Sequence, residues 1–189
     1  MDPVTETVDE ARDAGATAET GLEGVRWLSS QERRAWLTLV ATHMQLMPTL
    51  EADLQLEGAV SFFEYQVLAM LSESDDALPM SELAARTNAS LSRLSHVARK
   101  LESRGLMARS PSSEDARVTM AKITEVGMAE IARLAPFHVA SVRARFLDSL
   151  DDQDLADMGR IGAKILAHLD PDHWVFRDPA LADDRPQQA

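Results

Sequence analysis

Small hydroxyl and basic side chains share one short stretch of this chain, and together they suit contact with a polyanion. Seven residues carry the pattern: Ser90, Ser92, Arg93, Ser95, His96, Arg99 and Lys100. Small hydroxyls let a helix approach a major groove closely, while basic groups reach phosphates or guanine edges. Because the next acid is Glu102, the stretch is predicted to contact double-stranded DNA rather than to form an ordinary solvated helix face.

The distribution of charge supports the same prediction. The chain has 189 residues and a formal net charge of −12, yet residues 90–124 carry seven basic and only three acidic side chains. Residues 1–24 carry seven acidic side chains and one arginine. An acidic body with one basic surface is expected to meet DNA through that surface and to be repelled elsewhere.

The chain lacks the residues that several other classes of protein chemistry require. The chain has no cysteine, which excludes disulfides, thiolate metal sites and thiol redox sensing. Its five histidines have no compact ligand spacing, and no phosphate-binding glycine loop or nucleophile motif is present. We therefore expect no enzyme, no metal and no cofactor. No apolar stretch suits a signal peptide or a membrane span, so a cytoplasmic protein without membrane contact is expected.

The elements that position the basic stretch follow from periodicity and turn signals. A short helix is predicted over 81–87, and a second one over 90–104, where Gly105 supplies a left-handed cap. Residues 106–110 and 117–123 are predicted to pair as a hairpin around the polar turn between them. Helix, turn, helix and basic hairpin in this order predict a winged helix-turn-helix.

Long helices are predicted on both sides of this unit. Ser29-Ser-Gln-Glu32 has capping-box spacing and opens a helix that Pro48 is expected to end or kink. Ser61-Phe-Phe-Glu64 is a second capping box. Thr124 is expected to cap a helix running to about residue 150, which Pro136 bends rather than ends, and Asp151 to cap the last helix.

The fold class predicted is mainly α with a small β-hairpin wing, a winged helix-turn-helix flanked by long N- and C-terminal dimerisation helices. The flanking apolar stripes exceed what one winged helix needs, so a homodimer is expected. The domain prediction has five parts: a disordered acidic tail over 1–24, a winged-helix domain over 25–170, dimerisation helices at about 29–48 and 125–169, a DNA-binding unit at about 61–124, and a loose tail over 171–189.

The residues of the hairpin and the following helix resemble the MarR (multiple-antibiotic-resistance regulator) family of bacterial transcription factors. The family pattern is matched without a gap by Asp115-Ala-Arg117-Val-Thr-Met-Ala-Lys-Ile123-Thr124-Glu-Val-Gly127. Leu101-Glu-Ser-Arg-Gly105-Leu and Pro136-Phe-His-Val139 are also similar to family segments, and the resemblance spans about residues 27–170. Ala116 departs from the pattern, since the family often has a second basic residue there.

The resemblance implies a dimeric regulator, most often a repressor, on a pseudo-palindromic DNA operator. It implies that Arg117 enters the minor groove from the wing while Asp115 orients it, with Arg109 as a further wing residue. It also implies a possible small aromatic or phenolic effector, bound in a cleft for which six residues are candidates: Trp36, His43, Met44, Met47, Phe63 and Tyr65. For these six the alternative is ordinary core packing.

Two competing hypotheses stay open at this point. The acidic segments and Ala116 are compatible with a non-enzymatic winged-helix module that binds another protein, with weak or no specific DNA binding. A weaker hypothesis is a metal-dependent enzyme built from the scattered histidines, which are His43, His96, His138, His168 and His173.

Overall fold

A computed structural model describes residues 24–178, and most of these lie in helices. In chain order the elements are α1 (Ser30–Glu57), α2 (Phe62–Ser72), β1 (Leu78–Pro79), α3 (Met80–Arg86), α4 (Leu91–Ser103), β2 (Met107–Pro111), β3 (Thr119–Ile123), α5 (Glu125–Arg145) and α6 (Asp152–Leu169). Short 3-10 turns follow α5 and α6. The predicted fold class, mainly helical with a small β wing, is confirmed. The predicted acidic tail over 1–24 lies almost wholly outside the described residues.

The described chain divides into two compact units, residues 24–43 and 44–178. In the first unit, the hydroxyl of Ser29 accepts a hydrogen bond from the Glu32 amide at 3.2 Å, and Glu32 accepts one from the Ser29 amide at 2.8 Å. Arg26 also contacts the Glu32 carboxylate at 2.7 Å. The predicted capping box is therefore present, and it starts α1 at Ser30.

In the second unit, α1 does not end at Pro48, which was one of the two outcomes expected there, and it continues to Glu57 instead of about residue 48. A proline inside a helix removes one backbone hydrogen bond and costs about 3 kcal/mol. Leu50 and Leu54, which follow the proline, are buried in the core, so the apolar surface they remove from water offsets that cost. Tertiary packing has overridden a local stop signal.

The core of the second unit is formed where α2 meets α3, β3 and α5, and α4 packs against α3 and β2. Its largest fully buried apolar side chains are Leu54, Val60, Val67, Leu68, Leu71, Leu83, Leu94, Leu101 and Leu134. The predicted capping box of α2 is present, with both hydrogen bonds between Ser61 and Glu64 formed. Because α4 contributes Leu94, Ala98 and Leu101 to this core, its opposite face is left for solvent.

The wing is an antiparallel sheet of three strands in the order β1-β3-β2. Met107 pairs with Ile123 and Pro111 with Thr119, so the predicted hairpin is confirmed with bounds shifted by one or two residues. Sequence reasoning missed β1, in which Leu78 pairs with Ala121. A two-residue strand containing a proline carries no alternation that would reveal it.

A tight junction joins the end of α4, the wing and α5. Gly105 has a φ of +69°, the left-handed conformation predicted for it. The Thr124 hydroxyl accepts a hydrogen bond from the Gly127 amide at 3.0 Å and donates one to the Gly105 carbonyl at 2.6 Å. A Cβ atom at Gly127 would lie 1.9 Å from the Leu106 carbonyl oxygen. The threonine and the glycine of the family-like motif are thus explained by backbone contact.

The C-terminal helices begin where the sequence predicted, but the first of them ends earlier. Helix α5 passes through Pro136 and stops at Arg145 instead of about residue 150, and a 3-10 turn follows it. Asp151 caps α6 through a capping box with Asp154, as expected of a cap at this position. Among the helices described over 24–178, none combines the length and the apolar character that crossing a bilayer requires.

Candidate nucleic-acid interface

Helix α4 presents the predicted hydroxyl and basic residues on one side. The Ser90 hydroxyl caps the helix by accepting a hydrogen bond from the Arg93 amide at 3.2 Å. The residues that face solvent are Ser90, Ser92, Arg93, His96, Arg99 and Lys100, and Ser95 is half-buried. The helix-turn-helix therefore brings all seven predicted residues of this stretch to one exposed face or its margin.

Arg93 is supported from below by an aromatic ring. Its guanidinium carbon lies 4.0 Å from the centre of the Phe63 ring, which is buried at the start of α2. A guanidinium over a ring face is attracted by the quadrupole of the ring, and the stacking restricts its rotamers. Phe63 was predicted to line an effector cleft or to belong to the core, and in the structure it is buried beneath a residue of the basic face.

Lys100 is held by a buried carboxylate that sequence reasoning did not connect with it. Its ammonium lies 2.7 Å from Oε1 of Glu64, whose side chain is only 2% exposed. Burial by itself raises the pKa of Glu64, but the hydrogen bonds from Lys100 and the Ser61 amide and the charge of Arg104 outweigh it and lower this pKa. Glu64 is therefore ionised at neutral pH and balances the charge of Lys100.

Arg109 is likewise held by an acid, at the base of the wing. Its Nε and Nη2 atoms donate to Oε2 of Glu102 at 2.9 and 2.5 Å, and its backbone amide donates to Oε1 at 3.0 Å. The Arg109 hydrogen bonds outweigh the effect of burial and lower the pKa of Glu102. Arg109 thus connects β2 to the last turn of α4, and its charge is balanced by Glu102 within the protein.

Arg117 lies at the exposed tip of the wing, where Asp115 grips it. Its Nε donates to Oδ1 at 3.0 Å and its Nη2 to Oδ2 at 2.9 Å, while its backbone amide also donates to Oδ1 at 3.0 Å. The side chain of Arg117 is 90% exposed. The Arg117 side-chain and backbone hydrogen bonds hold the pKa of Asp115 below its usual range. The orienting contact expected between these two residues is present.

The six candidate effector residues do not behave as one group. In the first unit, Trp36 and His43 are exposed. In the second unit, Met44 is exposed and Met47 half-buried, whereas Phe63 and Tyr65 belong to the core. The core interpretation, which the sequence left as the alternative, fits Phe63 and Tyr65 because both pack among buried residues of the winged helix.

His138 was missed as a possible polar group near this core. Its ring lies 4.4 Å from the Tyr65 ring and 5.8 Å from the Phe62 ring, measured between centroids. Nδ1 of His138 is buried and has no hydrogen-bond partner among residues 24–178. Burial lowers the pKa of His138, because the cation is poorly solvated there. The ring also lines a crevice of about 200 Å³ between the end of α1 and α5.

The segment after α6 corrects one sequence expectation. A loose tail was expected over 171–189, but Trp174–Phe176 forms a 3-10 turn and His173 is buried. Nε2 of His173 lies 3.0 Å from Oδ1 of Asn88, in the turn between α3 and α4. Trp174, Val175 and Phe176 are half-buried beside His173, so residues 173–176 pack against the protein instead of forming a loose tail. The rest of the expected tail, 179–189, lies outside the described residues.

The histidines do not gather into a metal centre in the part of the chain that the structure describes. Over residues 24–178, no three His, Cys, Asp or Glu side chains lie in an arrangement that suits a metal ion. His173 contacts Asn88 and His138 contacts Tyr65, and both contacts are structural.

Comparison with known proteins agrees with the geometry. The sequence model of the MarR family matches residues 63–119, which run from α2 to the start of β3. The structure of AbsC, a MarR family transcriptional regulator from Streptomyces coelicolor, is similar with a TM-score of 0.73 and 38% identity, over 77% of this chain and 98% of that one. IacR, an HTH-type transcriptional repressor of Pseudomonas putida, is 36% identical over 70 residues, which are 37% of this chain and 41% of IacR.

A further relative was solved together with nucleic acid. Sco3205, a MarR family transcriptional regulator from Streptomyces coelicolor, is similar in its complex with DNA with a TM-score of 0.76 and 31% identity, over 78% of this chain and 93% of that one. The order of elements, the caps and glycines of the wing junction, and the alignments that cover more than nine tenths of AbsC and Sco3205 agree with one another. The chain belongs to the MarR family of winged-helix transcriptional regulators.

Proposed function

We propose that this protein is a homodimeric transcriptional repressor that binds a pseudo-palindromic DNA operator. In each protomer α4 enters the major groove and the wing enters the minor groove. The observation that carries the proposal is the outward-facing set of α4 residues together with Arg117 at the wing tip, in a chain 31% identical to a regulator solved with DNA. The names of relatives such as IacR support repression rather than activation.

The proposed DNA contacts differ in what their charge can do. Arg93 and Arg99 have no acidic partner within ion-pair distance among residues 24–178, so their charges remain available to phosphates or guanine edges. Ser90, Ser92, Ser95 and His96 supply hydrogen-bonding groups on the same face. Arg117 is presented by Asp115 for the minor groove. Lys100 and Arg109 are paired with the less exposed carboxylates of Glu64 and Glu102, so they contribute less charge to DNA than Arg117, whose side chain is 90% exposed beside Asp115.

The proposed dimer is supported by apolar side chains that the described chain leaves in solvent. On α6 these side chains recur at helical spacing on one stripe: Leu155, Met158, Ile161, Ile165 and Leu169. In the first unit Trp36, Leu37 and Leu39 are also exposed. Contiguous exposed apolar surface of this kind is usually covered by another protein surface. A second copy fits best, because two copies match two half-sites of DNA.

The proposal includes release by a small aromatic or phenolic effector. Such a ligand acts only if it binds the DNA-competent and incompetent arrangements of the dimer with different affinity. The crevice beside His138 has an apolar wall formed by Leu54, Leu56 and Phe137 and polar groups at its edge. A ligand screen by thermal shift, followed by DNA-binding competition, tests this part separately from DNA binding.

The DNA-binding proposal is tested by an unbiased selection of double-stranded oligonucleotides with the full chain, followed by anisotropy titrations at several salt concentrations. We expect an inverted repeat with half-sites about one helical turn apart. We also expect Arg117→Ala to weaken binding to many sequences. The salt slope, which is the steepness with which the logarithm of the binding constant falls with the logarithm of the salt concentration, should decrease by about 0.9 for each phosphate that the variant no longer neutralises.

Two results would count against the proposal. A strictly monomeric protein in sedimentation experiments removes the two-fold arrangement, and a selection that enriches no sequence removes the operator. The second result, combined with capture of a defined protein partner, would favour the interaction module instead. An unchanged salt slope for Arg117→Ala contradicts only the wing assignment.

A further inference from the structure

The first turn of α2 contains a buried acid, Glu64, whose two cationic partners come from α4, which we call the recognition helix, or from the residue that caps its C-terminal end. Glu64 lies 2.7 Å from Nζ of Lys100 and 3.9 Å from Nη1 of Arg104. Oε2 of Glu64 accepts a hydrogen bond from the Ser61 amide at 2.8 Å, and this bond is part of the capping box of α2. One carboxylate therefore fixes the start of α2 and the second half of α4 together.

Neighbouring contacts extend the same connection. Arg104 donates to the Ala59 carbonyl at 2.9 Å, in the segment that joins α1 to α2. Phe63, which precedes Glu64, supports Arg93 at the opposite end of α4. Both ends of the recognition helix are thus held against two successive residues of α2, and the recognition helix is also joined to the linker after α1.

Binding of the Lys100 ammonium to a phosphate competes with its ion pair to Glu64. If its ammonium left for DNA, the carboxylate would remain buried with Arg104, at 3.9 Å, as its only other cationic contact among residues 24–178. Leaving a buried charge without a close partner is strongly unfavourable. Arg99, the preceding residue, is exposed and has no acidic partner within ion-pair distance in the described range, so it incurs no such penalty.

We propose that Glu64 is a positioning residue that withdraws Lys100 from DNA and uses it to set the recognition helix on α2. The inference rests on the proposed DNA-binding function and revises the sequence prediction that Lys100 contacts DNA. In this arrangement α4 offers Arg93 and Arg99 as its effective DNA-facing charges. Loss of the Glu64 charge releases Lys100 and adds one cation per protomer to the DNA surface.

The experiment compares Arg99→Gln with Lys100→Gln, adjacent substitutions that remove the same charge from exposed positions of α4. Affinity for a duplex without an operator is measured by anisotropy over a series of salt concentrations, since binding to such DNA is mainly electrostatic. We expect Arg99→Gln to reduce the salt slope by about 0.9 per protomer and Lys100→Gln to change it by less than about 0.3.

A second pair of variants tests the role of Glu64 directly. Glu64→Gln keeps an oxygen for the capping box and removes the charge. We expect the salt slope to steepen by about 0.9 per protomer. We also expect the preference for operator over other DNA to fall, because α4 is no longer fixed in its position on α2. Adding Lys100→Gln to Glu64→Gln should then reduce the slope by the amount that Arg99→Gln does in the native background. Purely structural damage would lower affinity without steepening the slope.

Each outcome either supports or contradicts the proposed pairing of Lys100 with Glu64 in place of DNA. If Lys100→Gln flattens the slope as much as Arg99→Gln, Lys100 contacts phosphate and the inference is wrong. The same holds if Glu64→Gln folds and leaves the slope unchanged. If Glu64→Gln does not fold, the comparison of Arg99→Gln with Lys100→Gln decides alone. If Lys100→Gln does not fold because Glu64 is left without a close partner, the slope of Glu64→Gln decides alone. Failure of the unmodified protein to bind any duplex would overturn the proposed function itself, and with it this inference.

Discussion

Asp115→Asn gives a prediction in which two physical arguments have opposite signs. Removing an acid from a surface that we propose to face DNA should strengthen binding by reducing repulsion of phosphates. The structure shows, however, that Asp115 forms a two-pronged contact with the Arg117 guanidinium and also accepts the Arg117 amide. Without it, a side chain that is 90% exposed loses its fixed direction and must be ordered when DNA binds.

The magnitudes favour weaker binding. An exposed unit charge about 8 Å from a phosphate in water changes affinity by only about twofold, and salt reduces this further. Ordering one free arginine side chain on binding costs about two- to tenfold in affinity, so the two wings of a dimer give about 4- to 100-fold, against about fourfold at most from removing two charges. We expect Asp115→Asn to bind a selected operator more weakly than the native protein near physiological salt.

Glu114→Gln is the matched control, because it removes the same charge from the neighbouring residue. Glu114 is exposed, and its only hydrogen bond within residues 24–178 is donated by its backbone amide to Ser112. Its substitution should leave affinity unchanged or slightly raise it. Anisotropy titrations with one operator compare the three proteins. Tighter binding by both variants would show that repulsion dominates and that Asp115 does not orient Arg117.

Three other predictions concern stability. Gly127→Ala should lower the free energy of unfolding by about 1–3 kcal/mol or more, because its Cβ meets the Leu106 carbonyl oxygen at 1.9 Å. Gly159→Ala, whose added Cβ would have no atom within 4 Å among residues 24–178, should be neutral or stabilising when both variants are compared in thermal melts; equal losses of stability would contradict the packing explanation. Burial lowers the pKa of His138 below 6.5, so the unfolded state binds the proton more readily, and stability should fall as pH drops from about 6.5 toward the folded pKa. His138→Leu should flatten this dependence in denaturant titrations, whereas a slope as steep as the native one would assign the effect to other groups.

Local signals in the sequence were enough for the elements of the winged helix. Ser61 and Thr124 act as caps, and Gly105 adopts a positive φ, as their residue types and positions predicted. These features depend on neighbours within a few residues, and the sequence displays such neighbours directly. The exceptions are Pro48, whose local effect was outweighed by burial of Leu50 and Leu54, and the strand β1, which is too short to show a pattern.

The role of each basic residue could not be read from the chain in the same way. In the sequence, Arg99 and Lys100 are equivalent members of one basic face. In the structure one is free of acidic partners within the described range, while the other is paired with Glu64 on α2. The sequence shows that a side chain is charged, but the packing of distant elements decides which acid lies beside it.

The amino-acid sequence by itself determined that this chain folds as a winged helix with a basic face, because periodicity, caps and turn residues act over short distances. The resemblance to the MarR family added the expectation that Asp115 orients Arg117, and the structure shows this contact. Only the tertiary structure decided that Phe63 lies beneath Arg93, that Glu64 holds Lys100, and that His173 reaches Asn88. Such contacts join residues far apart in the chain, and they exist only because burial of the shared core brings those helices together.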